Sequence, residues 1–226
     1  MIEAARSADV LLMPGHLLRF DARLAIVKDR LDSGELGEVA SIYARRLIPR
    51  DRYSTYQRTH PALNAAIHDM DLALWFADSR PKSVRAYERN LQGGATPDVL
   101  WATIEFANGA LGVLENLWLV PEQAGVWLDA ETEMVGSRGM ARVRFPSDTL
   151  TLWLERGSSA PDTTLVPIAQ GAMSGALCDQ FAYFARCVAA GETPRRVTGD
   201  DALCAMELTM AIIDSASTGR EVHLEA

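Results

Sequence analysis

The sequence predicts helices combined with a largely antiparallel β-sheet, and three observations lead to this prediction. Between Ser83 and Glu155 the chain runs through strand-like segments separated by turn residues. Asn108 and Gly109, between two such segments, are typical of a tight hairpin. Segments with the helical spacing of apolar residues lie before and after these strands. Because successive strands are joined by short turns, we expect them to pair antiparallel.

Composition and charge indicate an ordinary soluble globular protein. The 226 residues are 48% hydrophobic and 23% charged, which suits one large domain or two small ones. The net charge is −8 and the Lys and Arg residues are dispersed, which excludes the basic face that nucleic acid or an anionic membrane requires. The apolar runs are too short to span a membrane, and the N-terminus lacks the apolar core of a signal peptide. A cytoplasmic location is therefore expected.

The three cysteines, Cys178, Cys187 and Cys204, are odd in number and match no metal-binding spacing. We expect buried free thiols in a reducing compartment. The four histidines are dispersed as well, so no metal site is predicted.

The chain begins with a helix-like segment, MIEAARSA, followed by a predicted strand from Val10 to Met13 that ends in a turn at Pro14. A single strand with no evident partner nearby indicates the end of another domain. A helix is then predicted from about Asp21 to Ser33, with Asp21 as its N-cap.

The segment Glu38 to Pro49 is β-like and has apolar residues on both faces, which predicts a position within a covered sheet. The loop that follows is rich in side chains that bind polar ligands: Arg50, Arg52, Tyr53, Tyr56, Arg58 and His60. It is either a solvated surface loop or a pocket wall whose guanidinium and phenol groups hold hydroxyls or an acidic group.

Leu63 to Phe76 is predicted to be a helix with two stripes, because its residues repeat at helical spacing. One stripe is apolar. The neighbouring stripe contains Asn64, His68 and Asp71, so an amide, an imidazole and a carboxylate share one face. A histidine on a helix is more often structural than catalytic, and both interpretations stay open at this point.

Six strands are predicted after this helix: 83–89, 99–106, 111–120, 126–135, 141–145 and 150–155. Trp118, Trp127 and Trp153 carry more apolar surface than one packed face needs. They are therefore either ordinary core residues or part of a face that contacts another subunit.

After a polar connection from Ser158 to Gln170, two helices are predicted, at Ala176 to Ala190 and from about Gly199 to Ser217. We expect their larger apolar side chains to be core: Leu177, Phe181, Phe184, Val188, Leu203, Met206 and Met210. The final GREVHL is predicted to be a short strand.

Six sequence pieces, in this order, resemble those of a known family: GHLLRFD, DSGELGEV, IHDMDLALWF, FANGALGVLENLW, EMVGSRGMARV and FARCVAAGETPRRVTGDDALCAMELTMAIIDSASTGREV. The family is the C-terminal domain of the glucose-fructose oxidoreductase and inositol dehydrogenase (Gfo/Idh/MocA-type) NAD(P)-dependent enzymes. The resemblance implies an α+β domain with a large open, mostly antiparallel sheet, covered by helices on one face and pairing subunits with the other. Residues 15–226 would form this substrate-binding and oligomerisation domain.

Residues 1–14 would then be the remnant of a preceding dinucleotide-binding domain. The resemblance also implies a Rossmann domain with a Gly-rich phosphate loop and a Glu-Lys-Pro motif, and this chain has neither. The GSRG sequence at 136–139 lacks the strand, the glycine spacing and the helix of a dinucleotide fingerprint. We therefore expect the chain alone to be inactive and to bind NAD or NADP poorly.

By the resemblance, His68 occupies the position of the family's catalytic histidine, and Asn64 stands where many members have an aspartate. An imidazole titrates near working pH and can take the hydroxyl proton when an alcohol is oxidised. An amide cannot stabilise imidazolium as a carboxylate does, so His68 should be the weaker base.

The other candidate site residues fall into two groups. Arg52, Tyr53, Tyr56 and Asp71 are candidate substrate contacts, with a structural role for Asp71 as the alternative. His16 and Arg19, in the GHLLRFD piece, are candidates for the cofactor side of the cleft.

Two classes of function remain open. The first is the substrate-binding and oligomerisation half of an NAD(P)-dependent dehydrogenase that acts on a sugar, cyclitol or related polyol. The second is a non-catalytic binding or assembly module of the same fold. In both cases a homodimer or larger assembly through the sheet face is expected, without nucleic acid or membrane partners.

Overall fold

A computed structural model describes residues 1–146, 150–155 and 157–224. Its strands are β1 (Val39–Pro49), β2 (Pro81–Arg89), β3 (Val99–Phe106), β4 (Leu111–Val120), β5 (Asp129–Gly136), β6 (Met140–Phe145), β7 (Leu152–Leu154), β8 (Gly157–Ser159), β9 (Ile168–Ala169), β10 (Ala172–Met173) and β11 (Val222–His223). Seven of them form one open sheet in the order β11-β2-β3-β4-β1-β5-β6. All neighbours in this sheet pair antiparallel except the central β1 and β4, which are parallel. The predicted mostly antiparallel sheet is confirmed.

The helices are α1 (Ile2–Ser7), α2 (Ala22–Asp32), α3 (Tyr53–Tyr56), α4 (Ile67–Ala77), α5 (Ala176–Ala190) and α6 (Gly199–Thr218). Asp21 caps α2 as predicted, because its carboxylate accepts a hydrogen bond from the Arg23 amide at 2.9 Å. Thr198 and Asp201 form a reciprocal capping box at the start of α6. Together with the sheet, these helices give the α+β class.

Helices α4 and α6 pack against one face of the sheet, on β1 and β2 respectively. Along β3 the side chains alternate accordingly: Leu100, Ala102 and Ile104 are buried, whereas Trp101 and Thr103 are exposed. This alternation confirms that helices cover one face of the sheet.

The opposite face of the sheet is open and largely polar. Tyr43 on β1 donates a 2.5 Å hydrogen bond to Glu115 on β4, and burial together with this carboxylate raises the pKa of Tyr43 to about 12. Arg45 on β1 pairs with Asp129 on β5 at 3.0 Å. The prediction that β1 lies within a sheet covered on both faces is therefore wrong within the described chain.

The predicted strand from Val10 to Met13 is also wrong, since residues 10–13 are irregular. No strand in the described ranges lies beside them, and an isolated extended segment leaves its backbone groups without ladder partners. The polar connection predicted at 158–170 contains parts of two small hairpins, formed by β7 with β8 and by β9 with β10.

The large apolar residues of α5 and α6 are mostly not core, contrary to expectation. Phe181, Val188, Leu203, Met206 and Met210 are all exposed. The inward faces hold the large apolar Leu208 and Ile212 of α6, and otherwise small or polar residues: Ala176, Gln180, Cys187, Ala205, Thr209, Ala211 and Ser215. Helix α6 packs on β2, where small side chains allow a close approach, and a hydrophobic pattern alone does not indicate this contact.

The three cysteines are unpaired, with Cys187 buried and the other two half-buried; burial raises the pKa of the Cys204 thiol. Among residues 1–146, 150–155 and 157–224 there is no cluster of three or more metal-ligating side chains. The same residues contain no helix of the length and apolarity needed to cross a membrane.

Candidate active site

A cavity of about 240 Å³ lies between the covered face of the sheet and the beginning of the helix that contains His68. Polar, aromatic and aliphatic side chains all contribute to its wall. They are Leu17, Leu18, Arg46, Ile48, Arg52, Tyr56, Asn64, Ala65, His68, Trp118, Trp127, Leu128 and Leu165. The structure thus brings together four residues that the sequence selected from two adjoining segments: Asn64, His68, Arg52 and Tyr56.

The helix at this cavity begins with a π-helical turn, Ala62–Ala66, before it continues as α4. The sequence spacing predicted an unbroken α-helix, so the wider turn is a finding of the structure. π-Helical turns inside helices occur frequently at functional sites. Both Asn64, within this turn, and His68, just after it, line the cavity.

His60 fixes the start of this turn. Its Nδ1 accepts a hydrogen bond from the Ala62 amide at 3.1 Å, and its Nε2 lies 3.1 Å from a carboxylate oxygen of Glu88 on β2. Because Nδ1 accepts a hydrogen bond, the ring N–H is at Nε2, and this N–H donates to the Glu88 carboxylate. The helix start is therefore tied to the sheet directly beside the cavity.

His68 is held as a neutral imidazole. Burial, followed by the positive charge of Arg46 and then of His16, lowers the pKa of His68 to about 3. Its Nδ1 is buried and has no hydrogen-bond partner among the described residues, and the residue lines the cavity. The ring can exchange hydrogen bonds with a hydroxyl but is a poor base in this state.

Arg46 on β1 is a cavity residue that the sequence analysis missed. Its Nε and Nη2 donate to the two carboxylate oxygens of Asp69 at 2.7 and 2.8 Å, and both residues are buried. A signal was present, because Arg46 continues the inward alternation of Ile42, Ala44 and Ile48. A charged residue at an inward position of a strand indicates a buried ion pair or a ligand contact.

Aromatic rings form one side of the cavity. The Arg52 guanidinium lies over the Trp127 ring, 5.6 Å from its centroid, and Tyr56 packs against Trp118 with ring centroids 5.6 Å apart. Trp118 is buried and donates its indole N–H to Asn116 at 2.9 Å. Trp118 is therefore a core residue, whereas Trp127 is 36% exposed at the cavity and Trp153 is 82% exposed on the β7–β8 hairpin.

The remaining predicted site residues lie outside the cavity wall. Tyr53 is buried, and its hydroxyl donates to the Thr96 carbonyl oxygen. Asp71 accepts hydrogen bonds from the Arg19 Nε and Nη2, the shortest being 2.7 Å. The nearest nitrogen of His16 is 3.8 Å from the same carboxylate.

This second charged cluster, of His16, Arg19, Asp71 and Asp201, is a packed unit. The Arg19 guanidinium also reaches Asp201 at 3.3 Å and lies over the Trp75 ring. Burial lowers the pKa of His16, and burial raises the pKa of Asp71 against the opposing effect of Arg19. The cluster joins the segment before α2 to α4 and α6.

The GSRG sequence at 136–139 does not form a dinucleotide-binding loop. The glycines at 136 and 139 belong to the tight turn between β5 and β6, where the Gly136 amide donates to the Gly139 carbonyl. A Cβ at Gly136 would collide with the Leu36 carbonyl oxygen, so this glycine serves close backbone packing. The turn leads into strand β6 rather than into a helix N-terminus that could receive a phosphate.

An open sheet with one helix-covered face and a polar, aromatic cavity on that face defines an α+β domain with a ligand-sized site. The chain belongs to the GFO/IDH/MocA C-terminal domain family, whose sequence profile matches residues 24–142, more than half of the chain. The resemblance seen in the sequence is therefore confirmed.

Two curated relatives match along nearly the whole chain. One is the scyllo-inositol 2-dehydrogenase (NAD(+)) of Bacillus subtilis, 28% identical over 240 residues, with 99% of this chain and 65% of the relative covered. The other is the myo-inositol 2-dehydrogenase of Thermotoga maritima, 25% identical over 232 residues, with 100% and 68% covered. The chain thus spans about two thirds of the length of these relatives.

A solved structure, myo-inositol 2-dehydrogenase from Lactobacillus plantarum, superposes with a TM-score of 0.80 at 19% identity. The match covers 99% of this chain and 68% of the other. At this identity the likeness establishes the fold.

Proposed function

We propose that this chain is the substrate-binding and subunit-association domain of an NAD(P)-dependent oxidoreductase that acts on a sugar, cyclitol or related polyol. The observation that carries the proposal is the cavity in which Asn64, His68, Arg52 and Tyr56 converge. Curated relatives named as inositol dehydrogenases support a polyol as the substrate class, and one of them is named for NAD(+).

In this proposal the polyol lies against the aromatic wall of Trp118 and Trp127, with its hydroxyls directed to the polar residues. The Asn64 amide can donate to one hydroxyl oxygen and accept from another hydroxyl. His68 accepts a hydrogen bond from the reacting hydroxyl at Nε2 and takes its proton there. The apolar residues around the ring limit the access of water.

NAD or NADP supplies the hydride chemistry when bound, and we assign its binding to a dinucleotide-binding domain, on the same or a separate polypeptide. We further propose that residues 1–14 belong to that domain and that the protein works in the cytoplasm. The open face of the sheet, with exposed Tyr87, Trp101 and Leu111, is the proposed surface for association of subunits.

A non-catalytic binding module of the same fold is the second candidate function. Two observations favour it: Asn64 replaces the carboxylate that would stabilise imidazolium, and the buried Nδ1 of His68 has no partner in the described chain. Both features weaken His68 as a base while leaving the cavity able to bind a polyol.

The test separates binding from turnover. Titration of the chain with myo-inositol, scyllo-inositol and hexoses, followed by calorimetry, measures binding; both candidate functions predict a binding heat that His68→Ala and Asn64→Leu abolish. Reduction of NAD or NADP by the chain, extended through its upstream coding region, measures turnover. Turnover that is lost in His68→Ala supports the oxidoreductase, binding without turnover supports the module, and the absence of binding refutes both.

A further inference from the structure

The cavity has an unbalanced positive charge. Its described lining contains two guanidinium groups and the neutral imidazole of His68, whereas no aspartate or glutamate is present in it. Arg46 is neutralised from behind by Asp69. The second guanidinium, of Arg52, has neither an ion pair nor a hydrogen bond to any described residue, although the chain as a whole carries a net charge of −8.

Arg52 is exposed at the cavity and contacts one aromatic ring. It lies over Trp127, whose ring packs edge-on against Phe145 with centroids 5.3 Å apart. A guanidinium beside an indole face keeps its N–H groups available to a planar, two-oxygen partner. A carboxylate provides such a partner and accepts two parallel hydrogen bonds from arginine.

The size of the cavity selects among anionic polyols. At about 240 Å³ it lies below the range of roughly 300–1,000 Å³ that is usual for drug-sized ligands, so a single sugar ring fits better than a nucleotide-sugar. Arg46 lines the same cavity, and its Nη1 makes no hydrogen bond within the described chain. This Nη1 can donate a hydrogen bond to a hydroxyl oxygen of the ring.

We propose that the substrate is a monosaccharide acid of the uronate type, whose carboxylate is bound by Arg52 beside Trp127 at the cavity while its hydroxyls meet Asn64, Arg46 and His68. This inference rests on the proposed polyol site and narrows its substrate class. Arg52 is thereby the residue that distinguishes an acid from a neutral sugar of the same ring.

The experiment is calorimetric titration of the chain with matched pairs: D-glucuronate against D-glucose and D-galacturonate against D-galactose, with myo-inositol alongside. We expect at least one acid to bind about tenfold or more tightly than its neutral parent, because a charge-assisted hydrogen bond is added. Arg52→Gln should reduce the affinity for the acid to about that of the neutral sugar.

Arg58→Gln is the matched control, since it removes the same charge from the same segment at a residue outside the cavity wall. It should keep the preference for the acid. Equal binding of acids and neutral sugars overturns the inference and leaves the polyol site standing, as does an equal loss in Arg52→Gln and Arg58→Gln. If neither acids, neutral sugars nor myo-inositol bind, the proposed site fails together with the inference.

Discussion

A single histidine defines the chemistry of the cavity. The low pKa of His68, about 3, arises first from burial and then from the positive charge of Arg46 and His16. Burial of a neutral imidazole has a consequence for stability as well as for reactivity, because the unfolded chain titrates near the ordinary value of 6.5.

The free energy of unfolding should therefore depend on His68 at acid pH. Between about pH 6.5 and pH 3, His68 binds a proton in the unfolded state but not in the folded state. The contribution of His68 to the free energy of unfolding is therefore fully present above pH 6.5 and decreases as the pH falls below it. Urea unfolding near pH 7 and near pH 5 should show a larger acid loss in the wild type than in His68→Gln, by about 1–2 kcal/mol. Equal losses would contradict the buried neutral state.

The amide at position 64 should set the basicity of His68. Asn64→Asp places a carboxylate on the same cavity wall, and an opposite charge within reach should raise the pKa of His68 by about one to two pH units. The chemical shift of the imidazole Cε1–H as a function of pH measures this change. Asn64→Ser is the neutral control, and an identical titration in both variants would show that residue 64 does not act on the ring.

Helical spacing in the sequence is enough to place Asn64 and His68 on one face, since residues four apart on a helix lie close together. It could not identify the π-helical turn, which shifts that register without a sequence signature. Nor could it find Asp69 as the partner of Arg46, because a contact between β1 and α4 depends on tertiary packing. Tyr53 and Tyr56 look equivalent in sequence, yet only Tyr56 reaches the cavity.

At the scale of elements, the Arg46–Asp69 pair joins the central strand β1 to helix α4 in a buried position. Arg46→Met should destabilise the fold by about 3–5 kcal/mol, because it leaves the Asp69 carboxylate buried without its guanidinium. The double variant Arg46→Met/Asp69→Leu should recover much of that loss. Urea unfolding of the three proteins measures both effects.

The exposed pair between Lys82 and Glu105 provides a comparison, since it also joins two elements but is open to water. Lys82→Met should change stability little. A small effect of Arg46→Met, similar to that of Lys82→Met, would mean that solvent reaches Asp69.

Strands β2, β3, β4 and β6 were predicted within a few residues because their turns and alternation are local signals. The exposure of the apolar residues on α5 and α6 was not predicted. Apolar periodicity shows that a helix has an apolar face, but it does not show which neighbouring element covers that face. Local sequence patterns also could not predict the parallel pairing of β1 with β4, because the two strands are far apart in the sequence.

At the scale of the whole molecule, the helices cover one face of the sheet and leave the other face open. It combines cross-strand ion pairs with exposed aromatic residues, a mixture typical of surfaces that contact another protein. Trp101 lies near its middle, 40% exposed and in register with Glu115 on β4.

Trp101→Lys should shift the protein from a dimer or larger assembly toward the monomer. A lysine opposite Glu115 is compatible with the folded sheet, because the two side chains can pair across the strands, but it replaces an exposed indole with a charge in the proposed contact. Trp153→Lys removes an even more exposed tryptophan from the separate β7–β8 hairpin and should leave assembly unchanged. Sedimentation velocity of the three proteins measures the outcome: a wild-type monomer, or equal assembly of all three, would remove the sheet face as the site of association.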